Sequence, residues 1–396
     1  MRALACRLMA VLAGLALVAA ATSCGGGSGT SGPSANGTAT TTATAPGTWR
    51  PMSASPLAAR IFPASVWTGT ELLLWGGRGC AASGCADNSV SPFADGAAYN
   101  PATDQWRMLA PSPLSGRLAV AEWTGQEMLI WGGSTVNQQP LGDGAAYNPG
   151  INSWRMLAPS PLSARSPEVE WTGQELVVWG GLGAGGATLS DGAAYNPVTN
   201  TWQMLPPSPL SARTASSVVW TGTKVVIWGG QGVVNANYLA DGAMYDPASN
   251  SWQKMSASPL TGRLTFGVWS GSRLLIWGGE GPNTAFNDGA AYDPATDSWQ
   301  RLPMSPLVAR RGAATVWDGT EMLEWGGAPA AGAFFFGNGA AYNPATGSWH
   351  AMASASGRFT PAFDWAGNQL LVWGGIVVTD AAGDIAASAS GGRYQP

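Results

Sequence analysis

Few residues of this chain are of a type that does chemistry. There is a single histidine, His350, and four cysteines, Cys6, Cys24, Cys80 and Cys85. A lone imidazole beside Trp349 has no second His and no thiol with which to share a metal, and a zinc set needs about four nitrogen or sulfur ligands. Two thiols with four residues between them, Cys80 and Cys85, therefore read as a local disulfide in an oxidising compartment rather than as a metal site. No Gly-x-Ser-x-Gly elbow, Walker loop or EF-hand loop is present. No metal, cofactor or catalytic residue is expected.

Two polar series recur instead. Arg60, Arg117, Arg165, Arg213, Arg263, Arg310 and Arg358 close equivalent connections, in motifs such as Pro-Leu-Ser-Ala-Arg, and Asp95, Asp143, Asp191, Asp241 and Asp288 precede a Gly-Ala-(Ala/Met)-Tyr segment. Asn338 and Ser390 replace the acid in the last two copies. Two readings stay open: each Arg pairs with an acid or a carbonyl inside its repeat, or together they rim a mouth that selects an anionic ligand. On the second reading Arg310 and Arg358, which lack the Asp, are the better ligands. Glu122, Glu170 and Asp364 stand where other copies have Val, as an acidic cluster or as hydrated groups. Glu324 takes a core position held elsewhere by Leu, Ile or Val; it needs a partner, and Arg311 is the candidate. Phe334, Phe335 and Phe336 are either tucked over a neighbour or left as an apolar lip for a partner.

The elements that position these residues follow from tryptophan. Trp-Gly-Gly begins at Trp75, Trp131, Trp179, Trp228, Trp277, Trp325 and Trp373, with spacings of 56, 48, 49, 49, 48 and 48 residues. A Trp-x-Gly series starts at Trp67, Trp123, Trp171, Trp220, Trp269, Trp317 and Trp365; Trp49, Trp106, Trp154, Trp202, Trp252, Trp299 and Trp349 form a third, so all 21 Trp are used. Repetition at this period signals stacked or radial repeats. Each unit reads as four short strands: a up to Trp-x-Gly, b ending in Trp-Gly-Gly, c with the Tyr, and d with the third Trp after an Asn-Pro or Asp-Pro turn. The last copy stops after strand c at Tyr394, and Trp49 precedes the first strand a. We expect an all-β, seven-bladed β-propeller of four-stranded antiparallel blades, with blade 7 closed by an N-terminal strand d and no open edge. The d–a and b–c connections then share one face, which carries both polar series.

The Gly-Gly pair, the Tyr and the Trp beyond it, as in Tyr99 to Trp106, resemble the kelch repeat over residues 47–396. The resemblance implies a propeller and leaves function open, because such propellers serve as enzymes, scaffolds and binding modules. The copper radical oxidases among them need several His and a Tyr crosslinked to Cys, which one His and a repeat-bound Tyr set do not supply. Similarity to the sialic-acid mutarotases of the same fold implies an alternative: a sugar epimerase or mutarotase that holds an acidic carbohydrate on Arg and moves protons through Glu122 or Glu170.

Composition bounds the partners. With a net charge of −4 and two Lys, Lys224 and Lys254, the chain has no basic stripe to neutralise a phosphate backbone, which excludes nucleic acid as an expected partner. Arg2 and Arg7 followed by an apolar run from Leu8 to Ala20 read as a signal peptide over 1–23. Ala21-Thr22-Ser23-Cys24 resembles a bacterial lipobox, with Ala where that motif prefers Leu, so Cys24 is expected to be lipidated; ordinary cleavage and secretion is the alternative. Residues 24–46 are Gly, Ser, Thr, Ala, Asn and Pro apart from Cys24, a composition suited to a disordered tether. The expectation is a monomer exported and held at the membrane by its lipid alone, more a ligand- or protein-binding scaffold than an enzyme, with an envelope protein or an acidic glycan as partner.

Overall fold

The computed structural model describes residues 47–80, 92–135, 137–232, 237–331, 334–379 and 384–396. The leader, the tether with Cys24, and Cys85 lie outside these residues.

Alternation of short apolar runs with Gly turns produces seven four-stranded antiparallel sheets. Blade 1 sets the pattern, with strand a at Ala64–Trp67, b at Leu72–Trp75, c at Gly96–Asn100 and d at Gln105–Met108, each paired with the next. The a–b turn is closed by the Thr68 N–H donating to Glu71 O at 2.9 Å, and Gly69 takes φ +99°, which a side chain would strain. Strand b is buried at every residue, because neighbouring blades cover both of its faces; strand d is the exposed rim. This explains why b reads as a continuous apolar run rather than an alternating one.

The innermost strands, Ala64–Trp67, Ala121–Trp123, Ser166–Trp171, Ser217–Trp220, Gly267–Trp269, Ala314–Trp317 and Ala362–Trp365, each touch the next, and the last touches the first. The sheets are therefore arranged as a closed ring. Blade 7 joins both ends of the described chain: Thr48–Pro51 pairs antiparallel with Gly391–Gln395, in the order d, c, b, a expected from sequence. Each d-strand indole also reaches back to the preceding blade. Trp106 donates to Ser53 O at 3.1 Å, Trp154 to Ala110 O at 3.0 Å and Trp49 to Ala353 O at 2.8 Å, so the bond that closes the ring repeats the others.

Two features were not expected. The b–c connections of blades 5 and 7 fold into small ribbons, Glu280–Gly281 with Thr284–Ala285 and Ile376–Val378 with Ile385–Ala387. Strands this short carry too little periodicity to be read from sequence.

Candidate functional site

Of the two readings of the Arg series, the structure matches the paired one. All seven side chains are buried, five of them at 0 % exposure, so they do not form a solvent-facing rim. Arg117 shows why. Its Nη1 donates to Gly132 O at 3.3 Å and to Asp143 Oδ1 at 2.7 Å, its Nη2 to Asp143 Oδ2 at 3.1 Å, and its Nε to Ser115 O at 3.0 Å. Its own carbonyl accepts from the Gly77 N–H of the preceding blade at 3.0 Å. One residue thus ties two neighbouring blades. The Gly-Gly pair is required there: both glycines have positive φ, and a Cβ on Gly77 would lie 2.7 Å from Ile61 O. Arg310 and Arg358 are no freer without an Asp. Arg310 donates to Asn338 Oδ1 at 3.1 Å and to the Gly326 carbonyl at 2.9 Å; Arg358 donates to Ser390 Oγ at 2.8 Å and to the Gly374 carbonyl at 2.7 Å.

The aromatic lip divides in three. Phe336 lies under the Arg310 guanidinium, 4.4 Å from its centre, as Phe93 does for Arg60 at 4.1 Å and Phe286 for Arg263 at 3.9 Å. Phe335 stacks on Phe359 of blade 7 with centroids 5.7 Å apart. Phe334 alone stays 54 % exposed, edge-on to Phe336. The covering position was legible and was missed: Phe93, Leu141, Leu189, Leu239, Phe286 and Phe336 each stand two residues before the Asp or Asn of the repeat.

Glu122, Glu170 and Asp364 are buried as well. Asp364 Oδ1 accepts the Trp365 N–H at 2.8 Å, the carboxyl faces the Trp67 N–H of blade 1, and Oδ2 has no hydrogen-bond partner among the described residues. Burial pushes it well above the usual carboxylate range, and the charge of Glu122 adds to the shift. Glu168, which sequence reasoning passed over, takes the Ser216 N–H of blade 4 at 3.3 Å. These two acids satisfy amides on the inner edge of the next blade, where strand a has no further strand to pair with. His350 sits on the exposed rim with its Nε2 2.8 Å from Glu321 Oε2. Cys80 is disulfide-bonded.

Strand b departs from its apolar pattern in one place. Glu324, 1 % exposed in strand b of blade 6, receives one hydrogen bond on Oε2, from the Thr315 hydroxyl at 3.1 Å, and Oε1 has no partner. The expected partner Arg311 instead pairs with Glu280 of blade 5 at 3.1 Å, because its side chain points across the blade boundary. Glu324 lines a narrow pocket with Ala215, Phe266, Arg311, Gly312 and Thr315, on the face of the d–a and b–c connections. About 30 Å³ of it is open to a water-sized sphere. Backbone strain gathers on the same face. Phe62, Ala215 and Thr360 take φ of +53°, +56° and +50°, each two residues after its Arg, where blade 6 has Gly312. Non-glycine residues in this region are held there only by their surroundings, and they cluster at ligand clamps.

A family model described as the KLHDC2/KLHL20/DRC7 Kelch-repeats domain matches residues 62–264 and, in a second register, 166–375. The chain belongs to the kelch-repeat family. No curated protein matches it. The overlapping registers follow from the near-identity of the blades, since one kelch unit can be laid on another. In this kelch propeller the Arg, Asp, Tyr and Trp of the repeat are consumed in holding blades together. The part of the face that does not repeat comprises Phe334, the Arg311–Glu280 pair and the Glu324 pocket. Among the described residues no group of three or more His, Cys, Asp or Glu is placed to hold a metal ion.

Proposed function

We propose that this kelch propeller is a binding scaffold, exported and lipid-anchored through Cys24, that engages a protein or ligand through the face of the d–a and b–c connections. The observation that carries the reading is Phe334. It is the one large apolar side chain of the triad left at the surface, on the same face as the strained residues and edge-on to Phe336, which lies under Arg310. A rigid ring with a variable, partly apolar face suits recognition, where loops supply specificity and the scaffold holds them. The burial of Glu122 and Glu170 and the commitment of the Arg donors speak for a scaffold over an epimerase on an acidic sugar.

Two measurements test it. Immobilised protein should retain from envelope extract a specific protein that the Phe334→Ser variant, melting at the same temperature, does not retain. Retention of the same protein by both forms would remove the surface from consideration. Labelled palmitate should enter the full-length chain in a bacterial host and be absent from Cys24→Ala; equal labelling overturns the anchor.

A further inference from the structure

The six other blades fill the position of Glu324 with Leu74, Ile130, Val178, Ile227, Ile276 and Val372. A carboxyl buried to 1 % exposure with one oxygen unpartnered costs stability relative to any of these, and among the described residues nothing compensates Oε1. The cost marks a site kept for something else. Its size and charge say what. The open space of about 30 Å³ exceeds what one water needs and suits a group of about two non-hydrogen atoms. Glu280 and Glu324 line it together with Arg310 and Arg311, and Arg311 is already paired with Glu280, so neither sign of charge prevails and an uncharged group is favoured. That group has to share a hydrogen bond with Glu324 Oε1, which a hydroxyl does in either direction. Beside the opening stands the half-buried ring of Phe266, edge-on to Phe363 with centroids 6.4 Å apart, an apolar wall for the body of the ligand.

We propose that the pocket between blades 5 and 6 binds the hydroxymethyl group of a neutral sugar, its hydroxyl hydrogen-bonded to Glu324 Oε1 and the C–H face of its ring lying on Phe266. The proposal rests on this face being the binding face, and adds a small-ligand subsite separate from Phe334.

Saturation-transfer and titration NMR on the propeller with methyl glucoside, galactoside and mannoside, each against methyl xyloside, which lacks the hydroxymethyl group, tests it directly. At least one hexoside should bind about tenfold more tightly than the xyloside, the difference expected for one well-placed hydrogen-bonded group. Glu324→Leu should abolish that preference while melting about 2–4 °C above wild type; if the Leu variant fails to fold, Glu324→Met serves, judged by the loss of preference alone. Phe334→Ser should leave hexoside binding unchanged, which separates this site from the protein-binding surface. Equal binding of hexosides and xyloside, no binding of either, a preference that survives loss of the carboxyl, or tighter binding of a methyl glucuronide or of glucosamine each overturns the proposal.

Discussion

Trp49 lies directly opposite Tyr394 in blade 7, their rings 5.3 Å apart, although 345 positions separate them in the chain. The same indole packs 4.7 Å from Trp325 of blade 6 and donates to Ala353 there. One residue near the start of the described chain therefore holds the last blade to its neighbour.

Replacing Trp49 by Ala should cost about 2–4 kcal/mol, since it removes a large half-buried ring and an interblade hydrogen bond together. Urea unfolding measures it. Deleting residues 47–54 should be worse, leaving the edge of Gly391–Gln395 open and producing unfolding or dimers, read by light scattering. A trimmed protein that stays monomeric and equally stable would contradict closure by this strand.

The Arg and Asp of one pair should not be equivalent. Arg165 is fully buried, whereas the Asp191 side chain is 48 % exposed, and blades 6 and 7 already use Asn338 and Ser390 where the other five have Asp. Asp191→Asn should cost less than about 1 kcal/mol, and Arg165→Met, which strands buried carbonyls, about 2–4 kcal/mol. The hydrogen bond from Arg165 holds the Asp191 carboxyl below its ordinary 3.8, and Arg117 does the same for Asp143. A group with a lowered folded pKa stabilises above its unfolded value and loses that contribution as pH falls. Asp143→Asn and Asp191→Asn combined should therefore narrow the stability gap to wild type as the pH drops through 3.8, measured by unfolding across the acid range.

Glu324 should show the opposite pH dependence. Burial raises its carboxyl well above the ordinary 4.5, opposed by the Thr315 hydrogen bond and the charge of Arg310. The folded state then holds a proton that the unfolded chain has released, so wild-type stability is fullest below 4.5 and is lost as pH rises through the folded value. Glu324→Gln, which cannot ionise, should gain on wild type as the pH rises. A constant difference across that interval would place the carboxyl in a solvated setting.

Ala215→Gly should raise stability by about 1 kcal/mol. Its φ of +56° is strained for any side chain, and blade 6 already has Gly312 at the matching position. Thermal melting decides, and a loss would show that the methyl packs better than the strain costs.

The blades were legible because they repeat. Seven copies of Trp-x-Gly, Trp-Gly-Gly and Tyr let each copy check the others, and turn chemistry and strand period agreed at every level. The site was much less legible. An Arg recurring before each blade reads as a staple or as a rim, since composition does not state whether a side chain points to solvent or back into the sheet. Residue type announced that Glu324 was exceptional, but its partner was misassigned, because Arg311 reaches Glu280 across a blade boundary that linear order does not display.

By itself, then, the amino-acid order determined the strand content, the number of blades and the pairing of the ends, all of which depend on local periodicity and on counting copies. The tertiary structure decided which polar groups were consumed and which remained. Hydrogen-bond satisfaction is settled between neighbours in space, and in a ring of blades those neighbours lie about one repeat apart in the chain, or at its opposite ends.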